Sequence, residues 1–127
     1  MTKHAVNTDA APGAVGPYSQ GLRDGELLFI SGQLPMPAGG GLITDDIARA
    51  ARQCLENVRA VLEAGGATMD DVVKVTIFLA DMADFGAVNA VYGEFFAEPY
   101  PARSCIEAAR LPKDAPMEID AVAVVHR

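Results

Sequence analysis

Two charged residues near the carboxyl end of the chain, Arg103 and Glu118, are of types that can act together on a small anionic substrate. Arginine binds a carboxylate through two parallel hydrogen bonds. A glutamate in a partly dry cleft has a raised pKa and can serve as a general acid or base. Each residue also has a structural interpretation, Arg103 as a surface ion pair and Glu118 as a solvated strand residue. On neighbouring strands they would form a stronger constellation, but the sequence does not give the strand register.

Several uncharged residues are further candidates for contacting a ligand. Tyr18 carries a hydroxyl that can face a ligand, although its ring can equally pack at the rim of a sheet. Ser31 and Gly32 end a predicted strand, where the glycine permits either a turn or the close approach of a ligand to the backbone. Asn89 and Asn57 flank the apolar stripes of two predicted helices. Polar residues at such positions are usually solvated.

Nucleophilic and metal-dependent chemistry have little support in the pattern. The two histidines, His4 and His126, stand at opposite ends of the chain, so no mid-chain serine has a histidine to activate it. Histidine and cysteine do not cluster as metal ligands do, and no metal is expected. Cys54 and Cys105 are expected to be free thiols. We interpret Cys105 as a small buried apolar residue on a strand, with a thiolate nucleophile as the alternative.

Composition limits the classes of function. The chain has 127 residues, of which 10 are Lys or Arg and 17 are Asp or Glu, so its net charge is -7. This charge argues against binding to nucleic acids and to anionic membranes. The length predicts one domain over residues 1–127. The sequence lacks an apolar run of about 18 residues and a signal-peptide pattern, so we expect a cytoplasmic protein.

Hydrophobic periodicity predicts two amphipathic helices, over residues 45–64 and about 84–97. Thr44 is the expected N-cap of the first helix. Gly65 and Gly66 are expected to end it, because glycine adopts the left-handed conformation without strain.

Strand patterns surround these helices and predict an α+β layer architecture. Residues 72–80 form the strongest strand, with Val73, Val75, Ile77 and Leu79 on one apolar face and a mixed opposite face. Two helices on one side leave the other side of the sheet uncovered, and self-association is the expected cover. The remaining predicted strands are one near residues 3–6, a hairpin around Asp24-Gly25, and two final strands over about 103–110 and 117–126.

Residues 103–114, RSCIEAARLPKD, followed by Glu118-Ile119, closely resemble the signature block of the RidA family, the reactive intermediate/imine deaminase A or YjgF family. The resemblance covers nearly the whole chain. Three other segments carry it: residues 16–20 (GPYSQ), residues 30–33 (ISGQ), and the run from Val75 to Phe96.

The resemblance implies a chorismate-mutase-like α+β fold, with a mixed sheet and two helices on one face. It also implies a homotrimer with clefts between its subunits. The implied activity is the hydrolysis of 2-imino acids and their enamine tautomers, such as 2-iminobutanoate and 2-iminopropanoate, to 2-oxo acids and ammonia. Pyridoxal-phosphate enzymes, including threonine and serine dehydratases, release such imines. The family's deaminase needs no cofactor and no metal.

The resemblance also assigns roles to individual residues. Arg103 matches the family's carboxylate-binding arginine, Glu118 its water-positioning glutamate, and Cys105 its cysteine. The positions that line the cleft match Tyr18, Ser31, Gly32 and Asn89. Two alternatives stay open: a trimer that binds small carboxylates without catalysis, and a protein-interaction role linked to translation or chaperone function.

Overall fold

The protein is described by a computed structural model over residues 3–126. Its six strands are β1 (Lys3–Val6), β2 (Gly21–Asp24), β3 (Leu27–Gln33), β4 (Val72–Leu79), β5 (Ala102–Glu107) and β6 (Met117–Val124). They form one sheet in the order β1-β2-β3-β6-β4-β5. The β4–β5 pair is parallel and the other pairs are antiparallel. The predicted mixed sheet is therefore confirmed.

The two helices are α1 (Ile47–Ala64) and α2 (Phe85–Phe95). The helix α1 begins after Asp46, whose carboxylate accepts hydrogen bonds from the N–H groups of Ala48 and Arg49. The prediction of Thr44 as N-cap was wrong, because it is Asp46 that lies where its side chain can reach the free N–H groups of the first turn. Gly66, with a φ of 85°, provides the left-handed residue that ends the helix.

One face of the sheet packs against the helices and forms the core. Along β6, every second residue from Met117 to Ala123 is buried, and the residues between them are half-buried. The apolar stripe of α1, which includes Leu55, Val58 and Leu62, lies on this face. The result is a single-domain α+β fold with two helices. No helix among residues 3–126 has the length and apolar character that crossing a membrane requires.

A β-bulge changes the predicted faces of β4. Val75, Ile77 and Leu79 are fully buried as expected, but Val73 is 46% exposed and Val72 is buried instead. The pairing of β4 with β6 shifts between Val72 and Lys74, so Val73 is the extra residue of the bulge. The alternation of side chains reverses at that point.

The opposite face of the sheet is open. Leu27, Phe29 and Ile106 are each more than 40% exposed there. The centre of this face is polar, because the ammonium group of Lys74 donates a hydrogen bond to the hydroxyl of Thr76. Apolar side chains that surround a polar centre are typical of a sheet face that another molecule covers.

Candidate functional site

Arg103 and Glu118 do not lie together within one chain. Arg103 is opposite Val75 of β4, and Glu118 is opposite Phe78 on the other side of β4. Two strand spacings and the three-residue offset separate their Cα atoms by about 14 Å. Arg103 faces the helices, whereas Glu118 lies on the open face with Phe78. The sequence left their relative position open, and the structure places them on strands that are not neighbours, because β5 adds at the edge of the sheet beyond β4.

Arg103 is held by one face of α2. Its guanidinium donates a hydrogen bond of 2.7 Å to the side-chain oxygen of Asn89. Its Cζ atom lies 4.7 Å from the ring centre of Tyr92 and 5.4 Å from that of Phe85. Residues 85, 89 and 92 have the spacing that places side chains on one face of a helix. A planar cation therefore rests between two aromatic rings, with an amide fixing its orientation.

A cavity of about 460 Å³ opens beside this guanidinium, and we call it the Arg103 pocket. Its lining residues are Asn89, Tyr92, Gly93, Tyr100, Pro101 and Arg103. Among residues 3–126, no carboxylate forms a salt bridge with Arg103. The cation is consequently available to an anionic ligand. The interpretation of Arg103 as a surface ion pair is wrong for the part of the chain described.

Cys105 lies on the same face of β5 as Arg103, opposite the buried Ile77. It is half-buried rather than fully buried. Burial raises the pKa of its thiol, and the nearby Arg103 guanidinium opposes that rise only in part. A raised pKa leaves little thiolate at neutral pH, so the thiol is poorly prepared to act as a nucleophile.

Glu118 lines a second cavity of about 560 Å³, which we call the Glu118 pocket. Three of the four predicted cleft residues, Tyr18, Ser31 and Gly32, lie in its wall, while Asn89 belongs to the Arg103 pocket. The other lining residues are Pro12, Gly13, Val15, Gln20, Gln33, Leu34, Met36, Pro112 and Lys113.

The Glu118 carboxyl packs directly on the backbone of Gly32. A methyl group added at Gly32 would overlap the carboxylate, lying only 2.7 Å from its carbon atom. A side chain at position 32 would therefore displace the Glu118 carboxyl group from its present place. Burial raises the pKa of Glu118, and the neighbouring Asp120 carboxylate raises it further. A carboxyl group with a raised pKa in a cleft is suited to exchange protons with a bound water or substrate.

Tyr18 and Ser31 are held by hydrogen bonds to nearby backbone. The Tyr18 hydroxyl accepts a hydrogen bond of 3.4 Å from the N–H of Val15, and its ring stays 52% exposed at the rim of the pocket. The Ser31 hydroxyl donates to the carbonyl of Ser19. Ser31 and Gly32 lie where the β3–β6 register is irregular, and such irregularities often re-aim side chains beside a site.

Two buried amides hold the loops of the Glu118 pocket. Gln20 is 3% exposed and bonds to the backbone of Thr8 and Pro12. Asn57 is 1% exposed and donates to the carbonyls of Leu34 and Met36. The interpretation of Asn57 as a solvated helix residue was wrong, because this amide replaces the hydrogen bonds that an irregular loop lacks.

Four residues in or beside the two pockets were not identified as functional candidates from the sequence. Phe85 and Tyr92 appeared only as members of an apolar stripe, although their spacing with Asn89 could have indicated a shared target. Lys113 adds a cation to the Glu118 pocket from a strained position, with φ 58°. Gly93 gave no signal that distinguishes it from any other helical glycine.

We find no candidate metal site within residues 3–126. No group of three or more His, Cys, Asp or Glu side chains is placed to hold a metal ion there. The charged residues that line the two pockets are Arg103 in the first, and Lys113 and Glu118 in the second.

Comparison with known proteins gives the family. The sequence profile described as endoribonuclease L-PSP matches residues 8–125. The chain belongs to this family. The family is the one that the RidA resemblance indicated, so that prediction is confirmed. The L-PSP match covers both pockets and every predicted site residue.

Relatives in the L-PSP family share nearly the full length of the chain. The chain is similar to a 2-iminobutanoate/2-iminopropanoate deaminase of Salmonella typhimurium, with 48% identity over 94% of this chain and 95% of the relative. A RutC family protein of Pyrococcus horikoshii is also 48% identical, over 95% of this chain and 97% of the relative. The solved structure of E. coli TdcF with bound serine superposes with a TM-score of 0.91 at 45% identity, covering 97% of this chain and 99% of that one.

Proposed function

We propose that this protein hydrolyses 2-imino acids, such as 2-iminobutanoate and 2-iminopropanoate, to 2-oxo acids and ammonia. The observation that carries the proposal is the Arg103 guanidinium, which forms no salt bridge among residues 3–126 and is oriented by Asn89 and stacked on Tyr92 at the wall of a cavity. A fixed guanidinium fork matches a carboxylate. The deaminase name of a relative at 48% identity supports the same reaction.

The reaction needs an anchor, a water molecule and a proton carrier. Arg103 binds the substrate carboxylate and holds the imine carbon in place. Glu118 takes a proton from water as the water oxygen bonds to that carbon, giving a carbinolamine. Glu118 passes this proton to the nitrogen, which completes the carbinolamine. Glu118 then takes the proton of the carbinolamine hydroxyl and delivers it to the same nitrogen as the carbon–nitrogen bond breaks, so the carbonyl of the 2-oxo acid forms and ammonia leaves. Glu118 ends in its starting state.

Two copies of the chain are needed to join these groups. A 2-imino acid of this size spans about 4 Å, whereas the side chains of Arg103 and Glu118 lie on opposite faces of the sheet within one chain. We therefore propose a homotrimer in which the Arg103 pocket of one subunit meets the Glu118 pocket of the next. The open sheet face, with Leu27, Phe29 and Ile106 exposed, supports burial against another copy. The expected mass is about three times that of the chain.

The chemistry also indicates what supplies the substrate. Enzymes that eliminate water from hydroxy amino acids with pyridoxal phosphate release enamines, which tautomerise to 2-imino acids. We propose a functional link to such dehydratases and no cofactor for this protein itself. A non-catalytic trimer that binds 2-oxo acids is the second candidate, because the same Arg103 geometry would serve it.

Subunit complementation tests the proposal. Threonine dehydratase generates 2-iminobutanoate in situ, and the rate of 2-oxobutanoate release is measured with and without the protein. The variants Arg103→Ala and Glu118→Gln should each be nearly inactive. After subunit exchange in an equal mixture, about a quarter of the sites regain both wild-type residues if each site is shared between two copies.

Arg49→Ala is the matched control, because it removes the same charge from an exposed pair with Asp45 outside both pockets. Recovery of activity in the mixture supports shared sites. Persistent inactivity of fully exchanged trimers would refute them. Binding of 2-oxobutanoate without any acceleration of its release would favour the non-catalytic candidate.

A further inference from the structure

A row of polar side chains crosses the open face of the sheet from β4 to β6. It consists of Lys74 and Thr76 on β4 and of Asp120 on β6, and it ends next to Glu118. We infer that Asp120 is a positioning residue of the reaction, which places a negative charge beside Glu118 and so makes Glu118 a stronger base. The inference rests on the proposed function, since it takes Glu118 as the group that accepts a proton from water.

The two carboxyl groups share one face of β6. Glu118 and Asp120 are two residues apart, so their side chains leave the same side of the strand, and their Cα atoms lie about 7 Å apart. Both residues are half-buried, next to the buried Ile119 and Ala121. Partly buried charges are screened less than charges on an open surface. The two carboxylates therefore repel each other, and this repulsion favours a protonated form of the pair.

The surroundings of the two carboxyl groups differ in their cations. Asp120 is directly opposite Thr76, and the ammonium group of Lys74 donates a hydrogen bond of 3.1 Å to the Thr76 hydroxyl. Burial raises the pKa of Asp120, but Thr76 and Lys74 oppose that rise. Burial and the charge of Asp120 both raise the pKa of Glu118. The negative charge of the pair is therefore favoured on Asp120 and the proton on Glu118.

Other titratable groups approach Glu118 from three further segments. Lys113, in the turn that precedes β6, and Tyr18 line the same pocket. Among residues 3–126, neither forms a hydrogen bond or a salt bridge with Glu118. The Cys54 thiol on α1 is neutral, because burial and then the charge of Glu118 raise its pKa. Asp120 is thus the charged group whose effect on the pKa of Glu118 is resolved in this part of the chain.

The charge of Asp120 has a consequence for turnover that a purely structural residue would not have. A general base works best when its pKa lies near the working pH. Without the Asp120 charge, Glu118 would lose its proton at a lower pH but would accept a proton from water less readily. The rate should therefore rise on the acid side of the Glu118 titration and fall on the alkaline side.

The first experiment follows Glu118 directly, without substrate. The protein is titrated by NMR with isotope-labelled carboxyl carbons, and Glu118→Gln identifies the Glu118 signal. Asp120→Asn should move the midpoint of Glu118 to lower pH by about half a unit or more. Asp120→Glu keeps the charge and should restore most of the wild-type midpoint. Asp70→Asn is the matched control, because it makes the same change at an exposed residue outside both pockets.

The second experiment measures the ratio of kcat in Asp120→Asn to kcat in the wild type across pH. An L-amino-acid oxidase, with catalase present, produces the 2-imino acid of alanine in situ. Both enzymes meet the same substrate, so the titration of the imine cancels in the ratio. The ratio should exceed one below the wild-type midpoint of Glu118 and fall about 2- to 3-fold below one above it. For Asp70→Asn the ratio should stay near one throughout.

The two experiments can fail separately. Should the wild type accelerate no imine hydrolysis, the proposed function fails, and the NMR titration still decides whether Asp120 acts on Glu118. An unchanged Glu118 midpoint in Asp120→Asn, or a kcat ratio that is constant with pH, overturns the inference. Should Asp120→Asn not fold, the wild-type titration decides, because coupled carboxyl groups give broadened or two-step curves. Two simple, independent curves would then overturn the inference.

Discussion

The Arg103 pocket and the Glu118 pocket hold their charged residues in different ways. The first combines α2 and β5 with two residues that precede β5, and side chains of α2 contact the guanidinium. The second combines the end of β3 and the start of β6 with surrounding loops, and its glutamate rests on the bare backbone of Gly32. Side chains of one helix orient the cation, whereas the carboxyl group packs on a glycine and buried amides hold the loops around it.

This difference matches the two tasks. Binding a carboxylate needs a fixed planar cation, and aromatic rings at helical spacing keep a guanidinium in one orientation. Proton exchange needs a carboxyl group with a raised pKa, and partial burial beside Asp120 raises that of Glu118. Packing thus controls the orientation of the guanidinium in the Arg103 pocket, and desolvation controls the protonation of Glu118 in the Glu118 pocket.

Removing the cation should have the largest effect. Arg103→Ala should abolish the acceleration of 2-imino acid hydrolysis and weaken 2-oxo acid binding together. Arg103→Lys should recover only part of either, because an ammonium group lacks the planar fork. Ketoacid release and oligomeric mass are measured for each variant. Near-normal activity in a folded Arg103→Ala protein would contradict the mechanism.

Removing the charge of the carboxyl group should affect turnover more than binding. Glu118→Gln should lower kcat by about 10²–10⁴-fold, the usual contribution of a general acid or base. Binding of 2-oxo acids should be largely retained, because the anchor lies in the other pocket. Calorimetry and the coupled assay check the two parts separately. Unchanged turnover would mean that Glu118 has a structural role.

The same substitution should stabilise the protein at neutral pH. The folded-state pKa of Glu118 lies above its usual value of 4.5, so the folded form holds the proton more tightly than the unfolded form. Stability consequently falls as the pH rises from about 4.5 through the raised pKa. Thermal melts should show Glu118→Gln melting above the wild type at pH 7, with the difference shrinking toward pH 4. A lower melting temperature at pH 7 would contradict the desolvation of this carboxyl.

Adding one methyl group at Gly32 should show whether the contact between Gly32 and Glu118 matters for turnover. Gly32→Ala displaces the carboxyl that packs there, and we expect a loss of about 10²-fold in kcat, as for a small misplacement of a reacting group. Gly13→Ala is the control, since Gly13 lines the same pocket but an added Cβ meets nothing within 4 Å. Equal losses in both variants would show that the Gly32 contact is unimportant.

Removing the aromatic ring of Tyr92 from the Arg103 pocket should have a smaller effect on activity. Tyr92→Leu removes the ring under the guanidinium and should raise KM by about 10-fold, while Tyr92→Phe should keep nearly normal activity. Within residues 3–126, the buried Tyr92 hydroxyl has no hydrogen-bond partner. Tyr92→Phe should therefore stabilise the protein by about 1 kcal/mol. Kinetics and thermal melts distinguish a role of the ring from a role of the hydroxyl.

Replacing the thiol of Cys105 should have the smallest effect on deaminase activity. Cys105→Ser keeps the size of the side chain and should retain most of the deaminase activity, because the raised pKa of Cys105 disfavours a thiolate. The coupled assay measures this variant beside the wild type. A loss of three orders of magnitude or more in a folded trimer would instead assign nucleophilic catalysis to Cys105.

Much of the Arg103 pocket was predictable from the sequence. Arg103 and Asn89 were identified as candidates, and helical spacing alone relates Asn89 to Phe85 and Tyr92. Glu118, Tyr18, Ser31 and Gly32 were also candidates from their residue types and positions, but only the RidA resemblance predicted a shared cleft. Its supporting residues Gln20 and Asn57 act through loop carbonyls, and local patterns carry no information about contacts between loops.

The sequence by itself determined the local elements of secondary structure. Apolar periodicity defined α1 and α2 to within a few residues, and the short β1 strand and the hairpin around Gly25 were found where they were expected. These features follow from interactions between residues close in the chain. The bulge at Val73 shows the limit, since only pairing with β6 determines which residue of β4 is the extra one.

Tertiary structure alone decided how the candidate residues are grouped. Whether Arg103 and Glu118 are neighbours depends on the order of β5, β4 and β6, and whether they share a face depends on the register of these strands. Arg103 is opposite the buried Val75 and faces α2, whereas Glu118 is opposite Phe78 and faces the open side. Strand order and register both arise from packing between distant segments. Periodicity reports which side of its own strand a residue occupies, but it does not report which strand lies beside it.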